Sequence, residues 1–293
     1  MITWNVGYGG LGLEQDFFFS GGKNVRPTKE LYESYIQGIE NEVRNFNNPD
    51  FILIQEIDKE SKRSYYENQV LRIAMSIPNY SYGFATNYDT PFVPKPLFQP
   101  YGKCYSGIMS FAKTQPATAH RFKLAPDASW PYSLFMLKRC YLEMRYPTQD
   151  GKDMVIINVH MSAYDDGTVR IKQMDTLREK LLKEYHAGNY VVVGGDWNQL
   201  PPDYKLLFSE RNDLVTLNIE RNFPEQGWTW ACDLNVTTNR DINIPYQKGK
   251  VKEVVIDYFL LSPNLQALNV QVIDLGFKYA DHQPVYIKFF KVL

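Results

Sequence analysis

A run of valines followed by two glycines and an acid–amide pair decides how we interpret this chain. It reads Val191-Val192-Val193-Gly194-Gly195-Asp196-Trp197-Asn198-Gln199-Leu200-Pro201. The β-branched run is typical of a short buried strand, and glycines let a backbone turn sharply and approach a ligand closely. Because side chains two apart in an extended chain point the same way, Asp196 and Asn198 are expected to share one face. The stretch predicts a strand that carries an acid and an amide into a cleft, with an Asx-rich turn as the structural alternative.

Length and composition favour one domain over residues 1–293, since 293 residues with 44% hydrophobic content can bury a large core. There is no run of 18 apolar residues that would span a membrane. Met1 leads into Ile2-Thr3-Trp4-Asn5 without a basic and apolar signal sequence. The chain as given predicts a cytoplasmic protein. Its short first strand also suits a secreted or membrane-anchored protein whose N-terminus has been trimmed.

Charge and cysteine content exclude several classes of function. A net charge of −1 and a pI near 6.4 argue against a basic face for long nucleic acid, although a local basic groove stays open. The cysteines Cys104, Cys140 and Cys232 are odd in number and widely spaced, which suggests neither a disulfide framework nor a zinc site.

Apolar runs of strand length recur along the chain. We predict strands over residues 2–6, 51–55, 80–86, 105–112, 117–123, 139–146, 154–160, 190–193, 251–261, 268–275 and 284–290. Helical spacing of apolar residues predicts helices after Thr28, over 65–76 and over 167–186. Because strands and helices mix without regular alternation, we expect an α/β (α+β) fold with two packed mixed β-sheets flanked by helices.

Polar side chains recur next to these strands. They are Asn5, Glu56, His160, Asp196 with Asn198, Asp257, and the pair Asp281-His282. Each has a structural alternative, such as a helix cap or a hydrogen-bonded core histidine. Asp257, however, lies inside an apolar run, where a buried carboxylate needs a histidine, an arginine or a metal as partner. Carboxylates and amides suit Mg²⁺, with Mn²⁺ or Ca²⁺ as alternative ions, so the set indicates metal-assisted phosphoester chemistry.

Six short motifs resemble the endonuclease/exonuclease/phosphatase superfamily, in the order of that family and over nearly the whole chain. They are Thr3-Trp4-Asn5-Val6, Ile54-Gln55-Glu56, Asn158-Val159-His160, Gly194-Gly195-Asp196-Trp197-Asn198, Ile256-Asp257-Tyr258-Phe259-Leu260-Leu261-Ser262 and Ala280-Asp281-His282-Gln283-Pro284. The superfamily includes deoxyribonuclease I, exonuclease III-type abasic-site endonucleases, neutral sphingomyelinases and inositol polyphosphate 5-phosphatases. The resemblance implies a four-layer α/β sandwich with its site at one edge of the two sheets.

The resemblance implies a metal side of the site. Glu56 would be the principal Mg²⁺ ligand, with Asn5 beside it and Asp281 near the metal. Abasic-site endonucleases carry an acidic residue two positions after the first asparagine, where this chain has Gly7, and a tyrosine where it has His160. The chain is therefore more similar to the deoxyribonuclease I, sphingomyelinase and 5-phosphatase branches.

It also implies a catalytic side. Asp257 would orient His282 and stabilise its charge, and His160 would bind the phosphate. Asp196 and Asn198 would position the attacking water or the phosphate oxygens. Either Asp196 or His282 could be the general base, and the sequence does not decide between them.

Further polar residues could contact the phosphate or the rest of the substrate. The candidates are Arg26, Arg63, Tyr65, Asn68, Arg139 and Arg240. Surface ion pairs and helix caps are the alternative roles for these side chains. Arg170, at a helix start, is expected to be structural.

The leading hypothesis is a monomeric, Mg²⁺-dependent phosphodiesterase or phosphatase. Its substrate would be a phosphoester, with a small molecule or a lipid head group favoured over long nucleic acid. The alternatives are a DNA or RNA endonuclease of the same superfamily and a non-catalytic binding module on this scaffold.

Overall fold

Two six-stranded β-sheets form the frame of the computed structural model, which describes residues 1–125, 137–163, 168–205 and 218–292. In chain order the strands are β1 (Ile2–Asn5), β2 (Phe51–Asp58), β3 (Ser81–Val93), β4 (Gly102–Ala112), β5 (Thr118–Lys123), β6 (Cys140–Pro147), β7 (Asp153–His160), β8 (Tyr190–Asp196), β9 (Thr229–Ala231), β10 (Asn239–Arg240), β11 (Glu253–Val254), β12 (Asp257–Leu261), β13 (Leu265–Val272) and β14 (Val285–Lys291). The first sheet has the order β13-β14-β1-β2-β4-β3 and the second has the order β5-β6-β7-β8-β12-β9. Each sheet is mixed, since β1 pairs in parallel with β2, and β7 with β8.

Helices cover the outer faces of both sheets. The helices α1 (Lys29–Asn45) and α2 (Gln69–Ser76) pack on the first sheet, and α3 (Thr168–His186) packs on the second. The hydroxyl of Thr28 accepts a hydrogen bond from Leu31 N and so caps α1. The predicted four-layer sandwich with two mixed sheets flanked by helices is confirmed.

The alternation of side chains along β2 shows why the layers form. Leu53 points between the two sheets and packs in a cluster with Val192 of β8, whereas Ile52 and Ile54 pack in the cluster that contains α1 and α2. Successive strand residues face opposite ways, so a strand that is buried on both faces must be apolar throughout. This is why these central strands are continuous apolar runs.

A polar contact fixes the distance between the two sheets close to the polar strand ends. Gln55 Nε2 donates to Asn158 Oδ1 at 2.7 Å, and Asn158 Nδ2 donates to Met109 O at 2.9 Å. Gln55 and Asn158 are fully buried, where an unmade hydrogen bond would cost about 1–3 kcal/mol. The two sheets are therefore held in one register next to Asn5 and Glu56.

Several predicted boundaries were wrong. The helix predicted over 65–76 begins at Gln69, because Tyr65 and Tyr66 have left-handed φ angles of 56° and 62° that no helix accepts. The strands predicted over 80–86 and 105–112 form a longer hairpin, β3 and β4. The strand predicted over 251–261 is interrupted after β11 and resumes at Asp257 as β12. The short strands β9 and β10 have no apolar run that would indicate them.

Among the described helices, none combines the length and the apolar character that crossing a bilayer requires.

Gly195 lies where the second sheet leaves no room for a side chain. Its φ is 151°, and a Cβ there would lie 2.0 Å from the carbonyl oxygen of Val159. We expect Gly195→Ala to lower the free energy of unfolding by on the order of 3 kcal/mol in urea titrations. The control is Gly151→Ala, where φ is 75° and no atom lies within 4 Å, so only backbone strain of about 1 kcal/mol is expected. Equal losses in both variants would contradict the steric explanation.

Candidate active site

The strand directions bring polar side chains of both sheets to one edge. Since β1 and β2 are parallel, Asn5 and the end of β2 lie together, and the parallel pair β7 and β8 places His160 opposite Asp196. The antiparallel strand β12 begins at this edge, so its first residue, Asp257, also pairs with Asp196. The sequence placed Asp257 inside an apolar run, whereas in the structure it reaches the site from the start of β12.

An irregularity in β2 aims Glu56 at the same edge. The pairing of β2 with β4 shifts register between Ile54 and Ile57, and Glu56 has a φ of 52°. A bulge of this kind re-aims a side chain, and left-handed backbone at a non-glycine residue is a cost that functional sites often carry. Glu56 is the partly exposed carboxylate of the group, with 27% of its side chain accessible.

Asn5 connects the two carboxylates that flank it. Its Nδ2 lies 3.3 Å from Glu56 Oε1 and 3.0 Å from Asp196 Oδ2, and its Oδ1 accepts a hydrogen bond from Gly7 N at 3.0 Å. The hydrogen bond from Gly7 N identifies the oxygen of the amide, so the Nδ2 end faces the acids. Burial raises the pKa of Asp196 to about 7, although His282 and the hydrogen bond from Asn5 oppose the rise.

His160 faces the same two carboxylates. Its Nε2 lies 3.5 Å from Asp196 Oδ2 and 3.8 Å from Glu56 Oε1. Burial lowers the pKa of His160 well below its ordinary value, and the positive charge of Arg139 lowers it further. A neutral imidazole in this position can donate one hydrogen bond to an anion.

His282 and Asp257 form a buried hydrogen-bonded pair. His282 Nδ1 lies 2.8 Å from Asp257 Oδ2, and His282 Nε2 lies 3.8 Å from Asp196 Oδ2. Burial alone would lower the pKa of His282, but the charges of Asp257 and Asp196 outweigh it and raise the pKa to about 10. The pair therefore holds a proton on Nδ1 and directs Nε2 toward Asp196.

Asn239 and Thr238 support this pair and were missed from the sequence. Asn239 Nδ2 lies 2.9 Å from His282 Nε2 and 3.3 Å from Asp281 O, while Asp257 N donates to Thr238 Oγ1 at 3.0 Å. When the ring is neutral and protonated on Nδ1, Nε2 accepts a hydrogen bond from Asn239. The polar run Thr237-Thr238-Asn239-Arg240 was the available signal, but no strand pattern marked it.

Asp281 offers an oxygen that the protein itself leaves unused. Its Oδ1 is buried and has no hydrogen-bond partner among the residues that the structure describes. Burial raises the pKa of Asp281 to about 6; the positive charge of His282 opposes the rise, and the negative charge of Glu56 adds to it. A Cβ on Gly7 would lie 2.8 Å from this oxygen, so glycine keeps the space beside it open. An uncompensated buried carboxylate beside a second acid fits a divalent cation.

A second group of donors also lies within metal-binding range. It consists of one ligand atom from each of Asp196, Asp257 and His282, and these three atoms lie within 4.8 Å of one another. Asp257 and His282 already satisfy each other through a 2.8 Å contact, however. The carboxylates of Glu56 and Asp281 are the better match to Mg²⁺, which prefers carboxylate, carbonyl and water ligands. Asn5, which the resemblance placed beside the metal, offers no oxygen here, because its Oδ1 accepts from Gly7 N and its Nδ2 faces the acids.

Asn198 lies outside β8 and in a turn. Its φ is 50°, its backbone N donates to Asp196 Oδ1 at 2.9 Å, and its Nδ2 donates to Met161 O at 3.0 Å. The expectation that Asp196 and Asn198 share a strand face was wrong, because the strand ends at Asp196 and an Asx turn follows. Asn198 fixes the end of β7 against the end of β8, beside the catalytic candidates.

The candidate substrate-binding residues fall into two groups. Most of them are occupied by contacts within the protein. Arg26 donates to Lys62 O and stacks on Tyr65, whose hydroxyl donates to Pro27 O. Asn68 caps α2, and Arg240 donates to the backbone oxygens of Leu11, Gly12 and Gln15. Arg139 differs, because its Nε is buried without a hydrogen-bond partner in the described part of the chain. Burial lowers the pKa of Arg139, while Glu56 and Asp196 raise it, so its charge lies beside the same carboxylates.

Arg63 is a structural cation. It binds both oxygens of Asp58, at 3.0 and 2.9 Å, donates to Tyr101 Oη at 2.9 Å and lies 3.7 Å from the centre of the Tyr8 ring. Asp58 is completely buried, so its carboxylate depends on this partner. The guanidinium that the sequence indicated for substrate is thus fully engaged beneath the site.

We expect Arg63→Met to lower the free energy of unfolding by about 3–5 kcal/mol, because Asp58 would keep a buried charge without a partner. Urea unfolding measures this loss. Arg178→Met is the control, since the Arg178 side chain is 37% exposed and its ion pairs should contribute about 1 kcal/mol or less. A variant at Arg63 as stable as the wild type would contradict a structural role.

Comparisons with known proteins agree with this architecture. The sequence profile described as the Endonuclease/Exonuclease/phosphatase family matches residues 2–282. A search of curated protein sequences returned no match. Among solved structures, an endonuclease/exonuclease/phosphatase from Beutenbergia cavernae has a TM-score of 0.64 at 14% identity, covering 99% of this chain and 70% of that chain.

Two further solved structures are similar over nearly the full length. The human Nocturnin catalytic domain with bound sulfate has a TM-score of 0.60 at 16% identity, covering 99% of this chain and 92% of its own. A mannosyl-6-phosphatase from Bacteroides thetaiotaomicron has a TM-score of 0.59 at 16% identity, covering 99% and 98%. At these identities the likeness shows the fold.

Proposed function

The chain belongs to the Endonuclease/Exonuclease/phosphatase family, and on that premise we propose that it is a Mg²⁺-dependent phosphoester hydrolase. The family includes phosphatases, nucleases and phosphodiesterases, which are generally hydrolases of phosphoesters. The observation that carries the proposal is the meeting of two unlike groups at one sheet edge. One is the Asp257–His282 pair, 2.8 Å apart. The other is the buried Oδ1 of Asp281, which lies near Glu56 and has no hydrogen-bond partner within the described residues.

Glu56 and Asp281 would hold the cation, and Asn5 would position the Glu56 carboxylate beside it. A bound Mg²⁺ would neutralise charge on the phosphate oxygens and orient the phosphoryl group. The chain pre-positions the carboxylates, because Asn5 donates to both Glu56 and Asp196 and is itself fixed by Gly7 N. Little reorganisation is then needed when the ion and the substrate arrive.

Asp196, Asp257 and His282 would handle the proton of the attacking water. His282 Nε2 and Asp196 Oδ2 face each other across 3.8 Å, a gap that a water molecule close to both could bridge. Asp257 fixes the ring by accepting from Nδ1, and the positive charge that develops on His282 is stabilised by both acids. Asp196 can take the proton while His282 is charged, and Nε2 can take it only once His282 has given up its own proton.

His160 and Arg139 would bind the phosphoryl oxygens. The neutral His160 ring presents a hydrogen-bond donor, and Arg139 supplies a cation whose Nε has no partner in the described chain. Hydrogen bonds between a guanidinium and a phosphate are charge-assisted and about twice as strong as neutral ones. Both side chains are at most 7% exposed, so they act in a site with little competing water.

We expect Arg139→Met to lower kcat/KM for a phosphoester by about 100-fold, because a cation aimed at developing negative charge is removed. Steady-state kinetics on purified protein measures the loss, and Arg178→Met on the far helix α3 is the matched control. If Arg139→Met retains wild-type kcat and KM, Arg139 does not contact the phosphate.

The substrate class follows from charge. With a net charge of −1, a small-molecule or lipid-head-group phosphoester suits the chain better than long nucleic acid. A phosphate monoester is included, since one similar structure is described as a mannosyl-6-phosphatase. An endonuclease is the alternative within the family, and a non-catalytic binding module is the alternative outside enzyme function.

The experiment is hydrolysis of bis-p-nitrophenyl phosphate and p-nitrophenyl phosphate, with plasmid nicking at low salt in parallel. We expect hydrolysis of at least one nitrophenyl ester with Mg²⁺, and none with EDTA. The activity should vanish in Glu56→Ala and in His282→Ala. Nicking without ester hydrolysis would favour the endonuclease. Activity that both variants retain would overturn the proposed site.

A further inference from the structure

A set of exposed apolar side chains lies at the active-site end of the molecule and takes no part in the proposed chemistry. We call it the apolar rim, and it consists of Phe18, Phe19, Phe92, Leu97 and Phe98. Leu97 is 80% exposed and Phe98 is 97% exposed, which is unusual for adjacent large apolar side chains. Single apolar residues need no explanation on a surface, but two neighbouring pairs of exposed apolar side chains, Phe18 with Phe19 and Leu97 with Phe98, indicate an interaction site.

The sheet topology places the apolar rim at the active-site end of the molecule. Phe92 and the segment 94–101 connect the last residues of β3 to the first residues of β4. Ser106 of β4 pairs with Asp58, two residues after Glu56. The Tyr101 ring lies 5.7 Å from Phe19, which joins the second segment of the rim to the first.

Polar contacts hold the apolar rim in this exposed position. Tyr101 N donates to Lys95 O at 2.8 Å and Lys62 Nζ donates to Pro100 O at 2.9 Å, so both ends of the loop are fixed. Tyr101 Oη receives a hydrogen bond from the buried Arg63, which stacks on Tyr8 beside the site. Four prolines at 91, 94, 96 and 100 restrict the backbone further. The apolar tips are presented to water by a rigid support.

The charge around the apolar rim selects its partner. Residues 90–103 contain no acidic residue; of their two lysines, Lys95 is exposed and Lys103 pairs with Glu60 at 2.7 Å. A protruding pair of apolar side chains with a basic neighbour needs no complementary pocket in a fluid bilayer. Apolar tips insert at the boundary of head groups and acyl chains while lysines meet lipid phosphates. A protein partner would instead need a groove that receives Leu97 and Phe98.

We propose that the apolar rim docks this protein on the surface of a bilayer that contains anionic phospholipid. Docking holds the cleft edge against the head groups. The consequence that the substrate is a lipid phosphoester rests on the proposed function, whereas the docking itself does not.

Co-sedimentation with vesicles tests the docking without any turnover. The full chain is mixed with phosphatidylcholine vesicles, with or without phosphatidylserine, in EDTA. We expect the wild type to sediment with the vesicles that contain phosphatidylserine. The double variant Leu97→Ser/Phe98→Ser should bind at least about tenfold more weakly, because two inserting side chains are lost. Lys95→Glu should weaken binding about fivefold, and only to the vesicles that contain phosphatidylserine.

The matched control is Met75→Ser/Leu268→Ser, which removes two exposed apolar side chains from α2 and β13 and should bind as the wild type does. A wild type that stays in the supernatant would overturn the docking. Vesicle binding by Leu97→Ser/Phe98→Ser equal to that of the wild type would overturn it too. So would sedimentation velocity that shows the wild type as a dimer and this variant as a monomer, because the rim would then be a contact between two copies of the chain. Vesicle binding without ester hydrolysis would contradict the proposed function alone, and ester hydrolysis without vesicle binding would contradict the docking alone.

Discussion

Asp257→Asn is expected to lower kcat for phosphoester hydrolysis by about 10³- to 10⁴-fold. The carboxylate accepts the Nδ1 hydrogen of His282 at 2.8 Å and raises the pKa of that ring to about 10, against the effect of burial. An asparagine has no charge to stabilise the imidazolium. Its amide can also donate to Nδ1 and so move the proton to Nε2, which then cannot accept one.

Steady-state kinetics with a nitrophenyl ester and saturating Mg²⁺ measures this change. KM should change little, since Asp257 is buried behind the ring and its partner His282 is proposed to act on the attacking water rather than to bind the substrate. Asp175→Asn is the matched control, because Asp175 lies on α3 with a side chain that is 60% exposed. Wild-type kcat in a folded Asp257→Asn variant would remove the Asp257–His282 pair from the mechanism.

Glu56→Gln is expected to give the second largest loss, through the metal. We expect the Mg²⁺ concentration for half-maximal activity to rise at least about 100-fold, since the change removes a charged ligand from a set of few. The amide keeps the shape of Glu56 and the bulge that carries it, so the fold should persist. The strain of the 52° φ at position 56 lies in the backbone, so it is the same in the variant as in the wild type.

A Mg²⁺ titration of the initial rate measures this shift. The matched control is Glu60→Gln, four residues along the chain, where the side chain is 52% exposed and pairs with Lys103. A half-maximal Mg²⁺ concentration equal to that of the wild type would assign the metal to other ligands, with Asp196 and His282 as the next candidates.

The pattern of apolar residues along the sequence predicted most of the fold. Continuous runs such as 51–55 and 154–160 are what strands buried between two layers require, and the sandwich and the family resemblance are confirmed. Boundaries failed where the backbone leaves regular geometry. The left-handed Tyr65 and Tyr66 shorten α2, and the break before Asp257 depends on pairing with β8 and β9, which no local pattern encodes.

The sequence could predict which polar residues form the candidate site, because most of them lie next to apolar runs of strand length. Asn5, His160, Asp196 and the pair Asp281-His282 follow or precede apolar runs, and parallel pairing brings such ends together. The sequence could not distinguish a substrate-binding arginine from a structural one at Arg63 and Arg139. Both are arginines near apolar segments, and only the fold shows that Arg63 is paired with Asp58 while the Nε of Arg139 has no described partner.

Mg²⁺-dependent release of p-nitrophenol tests the central claim most directly. Purified wild type and the double variant Glu56→Gln/His282→Ala are assayed in parallel, with Mg²⁺ and with EDTA. The double variant, prepared identically, controls for a contaminating hydrolase. The proposed site predicts product from the wild type with Mg²⁺ alone and none from the double variant under either condition. Equal rates from both proteins, or a wild-type rate that EDTA leaves unchanged, would contradict it.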